Sequence, residues 1–486
     1  MASRTVALIG GASGWGVGMI VVSVEAHAFS LRGAGLGDDD IASWAAAQVE
    51  QTDDFETDRA RYSRFFDHCD DLLRRLPQKP KRNDTEAAAA ATLLASAREH
   101  RERFLAAHAQ ALYDRLTRNR SLFLRLDALV IEAATLVPGL TPTREQLTAE
   151  TSKLQRDKDG VEIDQGIFLA HVLASERAGT HLCHAMLLPR SQVEELLPRL
   201  AAEGRVDLGA ATVERRGRAV HVTMANARFL NAEDETTLDR TELAVDLAIL
   251  DPATDIAVMR GGALEHPKYR GRRAFGAGIN LTHLYRGRIP FLWFLERDLG
   301  YVHKLLRGVA RSDSVPDDVH GRGIEKPWIA ALDGFAIGGH CQLLLTMDYV
   351  LAASDAFMTL PARKEGIIPG LANLRLPRFT GDRIARQAIQ YERRLPCDSP
   401  EGRLICDEIA RPDEMDAALA HVIEGLSNAG AVSAIGNRRA LRIGAEPLDL
   451  FRRYCSAYAR DQAYCAFSPA LIANLERNWN AHNRSP

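Results

Sequence analysis

The chain has 486 residues, 46% of them hydrophobic and 26% charged, an ordinary globular balance whose length predicts two or three domains. A formal net charge of -3 gives no means of tracking a polyanion, so nucleic acid is not expected as a partner. The seven cysteines (Cys69, Cys183, Cys341, Cys397, Cys406, Cys455 and Cys465) are scattered, odd in number and without CxxC spacing, which argues against a disulfide framework or zinc ribbon and for reduced thiols in the cytoplasm.

Residues 1–37 read as an extension. Val6 to Val24 carries no charge, follows Arg4 and precedes Ala26-His27-Ala28, the outline of a signal peptide. Five glycines interrupt that run and Glu25 sits beside the supposed cleavage site, so secretion is not the expectation. The same stretch, VALIGGASGWGVG, imitates a strand and dinucleotide loop, but charged helical sequence follows it rather than the second strand of a βαβ unit.

Residues 38–205 predict a helical domain. DDDIASWAAAQVEQ opens with acidic residues suited to a helix start, and TEAAAAATLLASAREHRERFLAAHAQALYDRL is alanine-rich with helical spacing. Between them, RRLPQKPKR reads as a solvated connector. His181 and His184 lie three apart beside Cys183, but no carboxylate or further thiol joins them, so a structural role is expected and no metal site.

From residue 206 to 430 the pattern becomes strand-then-helix, the mark of an α/β domain. RRGRAVHVTM reads as a strand, RTELAVDLAIL as a helix and DIAVMRGG as a strand. KPWIAALDGFAIGG follows as a strand with a glycine turn, then HCQLLLTM as a buried helix and DYVLAAS as another strand. Helical pattern resumes near Thr380, and residues 431–486 read as a C-terminal helical segment. No stretch predicts membrane insertion.

Two segments carry the chemistry, RRAFGAGINLTHL (272–284) and EKPWIAALDGFAIGGHCQ (325–342). Their small residues let a ligand approach the backbone, and Gly338-Gly339 stand where a strand gives way to a helix start with outward-facing amides. Either segment alone is equally compatible with glycines serving tight turns.

Together the two segments resemble the crotonase (enoyl-CoA hydratase/isomerase) family, whose motifs have the forms AFxAGADL and PxIAAVxGxAxGGG. The resemblance implies a ββα-spiral fold, here with added helical regions at both ends. It also implies an oxyanion hole made by the backbone N–H groups of Ile279 and Gly339, bordered by Gly278 and Asn280. The two glutamates of the hydratases are missing: their positions hold Gln342 and Ala362, and Glu365 is the nearest carboxylate. Water addition needs positioned acid–base groups, so a hydratase is not expected.

HPKYRGRRAFGAGINLTHL, FLERDLGYV, NARFLNAED and LPARKEGIIPG resemble the branch of this family that oxidises 3,5-dihydroxyphenylacetyl-CoA with O₂, using neither metal nor flavin, on the way to glycopeptide antibiotics. The resemblance implies 3,5-dihydroxyphenylglyoxylate and CoA as products, an enolate intermediate, Glu233 and Arg297 on the ring hydroxyls, and Gln342 as an orienting group. The cationic stretch His266-Pro267-Lys268-Tyr269-Arg270 before the first segment suits CoA phosphates, and is equally readable as a solvated loop. His340 replaces the family's third glycine and is expected to narrow the pocket or move a proton. A trimer or dimer of trimers is implied in the same way. The rival readings are an aryl-acetyl-CoA hydrolase or isomerase with Glu365 or Glu233 as base, and a non-catalytic acyl-CoA-binding protein.

Overall fold

The computed structural model describes residues 5–8, 19–22, 24–316, 322–427 and 431–484. In the extension, strand β1 (Thr5–Leu8) pairs antiparallel with β2 (Met19–Val22), a hairpin rather than a βαβ crossover. The segment between those two strands, which holds the loop glycines, lies outside the described residues.

The helical domain is built around helix α1 (Asp84–Leu116), started by a capping box in which Asn83 and Glu86 satisfy each other's backbone N–H groups. Helix α2 (Glu162–Ala174) is buried on nearly every face because α1 and the C-terminal helices enclose it. Most of the basic link is exposed, as its composition predicts, but two of its residues are also tied down. Arg82 makes a two-pronged pair with Asp159 at 2.5 and 3.2 Å, and Lys79 donates to the Lys158 carbonyl at 2.6 Å. His181 bonds the Tyr113 hydroxyl at 2.8 Å and stacks on Phe123, while His184 bonds the Arg311 carbonyl, so both imidazoles are occupied structurally.

Strands β3 (Arg205–Asp207), β4 (Ala211–Arg216) and β5 (Ala219–Met224) form an antiparallel meander at one edge of a seven-stranded sheet. Helix α3 (Leu238–Leu250) returns the chain to β6 (Ile256–Gly261), which pairs parallel with β5. Helices α4 (Phe291–Leu299) and α5 (Tyr301–Arg307) precede β7 (Trp328–Leu332), whose five residues are all buried. An apolar run of this kind is what a parallel strand covered on both faces requires, whereas β4 at the edge alternates.

Along the parallel part of the sheet, a strand is followed by a short extended stretch on a second, smaller layer and then by a helix. After β7 come β8 (Phe335–Ile337) and α6 (Gly339–Leu344); after β9 (Tyr349–Ala353) come β10 (Phe357–Thr359) and α7 (Ala362–Glu365). β8 and β10 pair parallel, and single bridges extend the layer through Gly276–Ala336 and Glu233–Ile279. This is the ββα spiral. The chain continues through α8 (Ala372–Tyr391), β11 (Leu395–Pro396), which pairs antiparallel with β10, and β12 (Glu408–Ala410) at the far edge of the large sheet. Helix α9 (Leu448–Ala466) then crosses back onto α2.

A buried ion pair fastens this last crossing. Glu446, immediately before α9, takes two 2.9 Å bonds from Arg375 of α8 and one of 2.8 Å from Arg378. Burial disfavours the Glu446 anion, but the two arginines outweigh it and hold its pKa at about 2. The folded-state value is depressed, so the stabilisation is complete above the ordinary carboxylate range and is lost as pH falls toward 2. Glu446→Gln is expected to cost roughly 3–5 kcal/mol at neutral pH by stranding Arg375, and to flatten the acid limb of stability between about pH 5 and 2. Urea unfolding across that pH range checks both.

Candidate active site

The spiral brings the two glycine segments into contact. Gly278, at φ +78, lies so close to the β8–α6 junction that a Cβ there would stand 2.8 Å from the Ile337 carbonyl and 3.3 Å from the Gly339 nitrogen. The parallel bridge between Glu233 and Ile279 uses the Glu233 and Asn280 amides, so the Ile279 N–H is turned away from it. Gly339 begins α6, where an N–H has no helical acceptor. Both residues line one cavity of about 480 Å³, and among the described residues neither amide has an acceptor. Two unpaired donors from separate turns of the spiral thus border one hollow, the geometry an oxyanion needs.

Behind Gly339 lies a buried polar knot centred on Arg297 of α4. Its Nε donates to Glu233 Oε1 at 2.8 Å and Nη1 to both Asp298 Oδ1 at 2.9 Å and Gln342 Oε1 at 2.8 Å. Nη2 donates to the Gly339 carbonyl at 2.8 Å. The Tyr301 hydroxyl also donates to Glu233 Oε1. Glu233 is 7% and Arg297 3% exposed, which rules out a turn cap and a surface helix charge.

Burial raises the cost of ionising Glu233, yet Arg297, with smaller help from the Tyr301 hydroxyl, holds its pKa below the usual range. For Asp298 burial wins, and its pKa is raised despite Arg297. One guanidinium thus keeps one neighbour anionic and leaves the other disposed to carry a proton. Gln342, with its carbonyl oxygen fixed by Arg297, has its NH₂ left for a ligand.

The remaining walls are Trp293, Phe294, Ala362, Glu365, Ile367, Ile368, Pro369, Gly370 and Tyr458. Glu365 ends the short helix α7 and faces this space with no hydrogen-bond or ion-pair partner among the described residues. Burial, reinforced by Glu392, raises its pKa to about 7. A second hollow of about 810 Å³ adjoins the first across Ala362, Ile367, Ile368, Pro369 and Tyr458.

Five residues expected at the site stand elsewhere or act differently. His340 is fully buried and outside the cavity lining; its Nδ1 accepts the Gly278 N–H at 3.0 Å. Burial lowers its pKa to about 4, so the neutral ring props up the oxyanion loop and neither narrows the pocket nor contacts substrate. Asn280 caps the helix Leu281–Tyr285 through the His283 N–H and donates to Asp234, so its side chain is committed to structure. Lys268 is exposed and Tyr269 packs edge-on against Phe335, with His266 accepting the Lys268 N–H; none of these three lines the cavity. Asp234, Glu235 and His283 form the one compact cluster of metal-ligating type among the described residues. Hydrogen bonds account for it: Asp234 takes bonds from Asn226, Thr236 and Asn280, and His283 pairs with Glu235 at 2.9 Å.

Asp298, Tyr301 and Tyr458 were not foreseen. The first two flank Arg297 within FLERDLGYV and are reachable by asking what a buried arginine must pair with. Tyr458 lies in α9, far away in sequence, and no motif marks it.

Comparison with known proteins agrees with this geometry. The family model for enoyl-CoA hydratase/isomerase matches residues 319–436. A (3,5-dihydroxyphenyl)acetyl-CoA 1,2-dioxygenase of Amycolatopsis orientalis is 46% identical over 419 residues, 86% of this chain and 95% of that protein. A crotonyl-CoA hydratase of Syntrophomonas wolfei subsp. wolfei is 26% identical over 206 residues, 42% of this chain and 70% of that protein. Among solved structures, an enoyl-CoA hydratase from Mycobacterium avium subsp. paratuberculosis aligns with a TM-score of 0.46 at 20% identity, covering 55% of this chain and 98% of that one. The chain belongs to the enoyl-CoA hydratase/isomerase, or crotonase, family. Its similarity to the dioxygenase extends beyond the crotonase core into the added helical regions.

Gly339 tests the arrangement. A Cβ there would stand 2.3 Å from Glu233 Oε2 and 3.0 Å from Arg297 Nη2. Gly339→Ala must displace the knot or the amide, and a misplacement of about 1 Å can cost around 10²-fold. A fall of at least tenfold in kcat/KM for thioester turnover, with an unchanged far-ultraviolet spectrum, is the expected outcome.

Proposed function

We propose that this chain is a cofactor-independent dioxygenase that converts 3,5-dihydroxyphenylacetyl-CoA and O₂ to 3,5-dihydroxyphenylglyoxylate and CoA. The observation that carries the reading is the Glu233–Arg297–Gln342 knot directly behind two unpaired amides, in a chain with near-full-length similarity to such a dioxygenase. The hollow that the two amides border receives the aryl-acetyl group, while the nucleotide end of CoA stays outside it. Lys268, with His266 and Tyr269 in the exposed loop, is the proposed partner for CoA phosphates.

Loss of an α-proton leaves the C–H electron pair in a thioester enolate, whose oxygen takes hydrogen bonds from the Ile279 and Gly339 amides. Each such donor is worth ~2.7–4 kcal/mol in the transition state. Glu233 and Arg297 hold a ring hydroxyl, and the guanidinium favours its ionised form, so the ring feeds electron density to the α-carbon. O₂ is the oxidant: electron transfer and radical recombination form the Cα–O bond of a peroxide. Its terminal oxygen attacks the thioester carbonyl and expels CoA. Cleavage of the O–O bond with loss of the second α-proton then makes the keto group and carboxylate. Both oxygens of O₂ enter the product, and the two α-protons balance the CoA thiol and the acid. Gln342, through its NH₂, orients the peroxide.

The protein's place is the cytoplasm, with its cysteines reduced; all seven are free thiols here. No described helix is long and apolar enough to cross a membrane. A homotrimer or dimer of trimers fits the family, and exposed Tyr391, Leu441 and Ile443 offer apolar surface for contact; sedimentation velocity reads the mass. The same site suits a step in making dihydroxyphenylglycine for glycopeptide antibiotics.

The test is O₂ uptake and thiol release by metal-stripped protein given 3,5-dihydroxyphenylacetyl-CoA. Equal amounts of each are expected. CoA release without O₂ uptake makes the protein a hydrolase, and binding without either makes it an acyl-CoA-binding protein. Glu233→Gln and Arg297→Lys are each expected to lower kcat/KM by about two orders of magnitude, since the first removes the anion of the knot and the second keeps the charge but loses the planar fork that reaches four partners.

A further inference from the structure

The reaction needs a group to take the α-proton, and both positions that hold acid–base glutamates in hydratases are filled by Gln342 and Ala362. Resting on the dioxygenase reading, we infer that Glu365 is the base that removes the α-proton of the bound thioester.

Geometry selects it among the ionisable groups around the cavity. Glu233 Oε1 is held by Arg297 and Tyr301, and its Oε2 lies on the far side of Gly339, where a Cβ would meet it at 2.3 Å. Asp298 Oδ1 is held by Arg297, and its Oδ2 backs onto Gly370 and the Tyr458 hydroxyl, as a Cβ built on Gly370 shows by reaching Oδ2 at 2.0 Å and the hydroxyl at 2.8 Å. His340 does not reach the cavity, and its Nδ1 is occupied by Gly278. Tyr301 donates its proton to Glu233.

Glu365 differs from all of these. It lines the same cavity as Ile279 and Gly339, and no protein group among those described ties its carboxyl. Its neighbours in the wall are Ala362, Ile367, Ile368 and Pro369, which offer it nothing to bond. The charged groups facing it are Glu392 and Lys364, themselves 3.9 Å apart on the outer side, with Arg297 and Asp298 across the cavity. Burial and Glu392 raise its pKa to about 7, which matches a base that must both accept and release a proton near neutrality.

The step balances simply. A Glu365 oxygen forms the new O–H bond and the Cα–H bond breaks. The electron pair remains as the enolate, whose charge rests on the oxygen between the two amides. The carboxyl then gives its proton to the departing CoA thiolate and returns to the anion.

The experiment separates this step from oxidation. The full chain is incubated with 3,5-dihydroxyphenylacetyl-CoA in D₂O without O₂, and α-deuteration is followed by mass spectrometry against the uncatalysed rate. The unmodified protein is expected to accelerate exchange, with a rate that rises through about pH 7. Glu365→Gln is expected to lose that acceleration by about 10²-fold or more while binding the thioester within threefold, and Glu365→Asp to retain an intermediate rate. Exchange by folded Glu365→Gln within threefold of the unmodified protein overturns the assignment. So does full exchange in Glu365→Gln alongside a dead Glu365→Asp, which marks a purely steric role. O₂ uptake by the unmodified protein is read in parallel. Its absence with Glu365-dependent exchange intact would sink the dioxygenase reading and leave the base standing.

Discussion

Arg297 is placed where a permanent positive charge has to be compensated without water, and the rest of the site is arranged around that requirement. Its three nitrogens reach Glu233, the adjacent Asp298, and Gln342 and the Gly339 carbonyl on one short helix, four groups from three stretches of chain. Stranding a buried charge is far more costly than holding a pair, so these stretches have little freedom to drift apart. Because one contact is to the carbonyl of Gly339, the guanidinium ties Glu233, Gln342 and a residue with an unpaired amide into a single unit. A planar fork does this where an ammonium could not.

The unequal fate of the two carboxyls beside Arg297 follows from the same geometry. Glu233 collects Arg297 and the Tyr301 hydroxyl and its pKa is held down, whereas for Asp298 burial outweighs Arg297, although each carboxyl keeps one oxygen without a partner. His340 adds a different kind of support. A third glycine would leave the Gly278 amide without the imidazole acceptor it has here, so a bulky residue is accommodated by supporting the loop from behind. The side chain that departs most visibly from the family pattern therefore touches shape rather than chemistry.

Much of this was readable from sequence because the oxyanion hole is a backbone feature, and backbone close approach demands small residues at fixed spacing. Gly278, Ile279, Gly339, Glu233, Arg297 and Gln342 all converge as the motifs implied. The β8 and β10 layer was not read, since three-residue strands carry no usable alternation. Asn280 and His340 misled because a polar residue inside a motif looks functional whether it faces the ligand or its own backbone. RRLPQKPKR is exposed over most of its length as its composition implies, but composition cannot show that Asp159 is waiting for Arg82. Tyr458 was out of reach, since its place in the wall depends on how α9 crosses α2, a tertiary fact with no local signature.

That crossing also bears on how the chain comes off the ribosome. The α4 segment with Arg297 and the apolar faces of α2 are synthesised well before α9, yet α9 supplies their cover and Tyr458 closes the chamber wall. Until α9 has emerged, the nascent protein holds an exposed hydrophobic trough beside an incompletely enclosed guanidinium, the kind of surface that invites chaperones or aggregation. Completion of the chamber therefore waits on α9, and a ribosome stalled short of it leaves a chain with the motifs of both glycine segments present and no chamber.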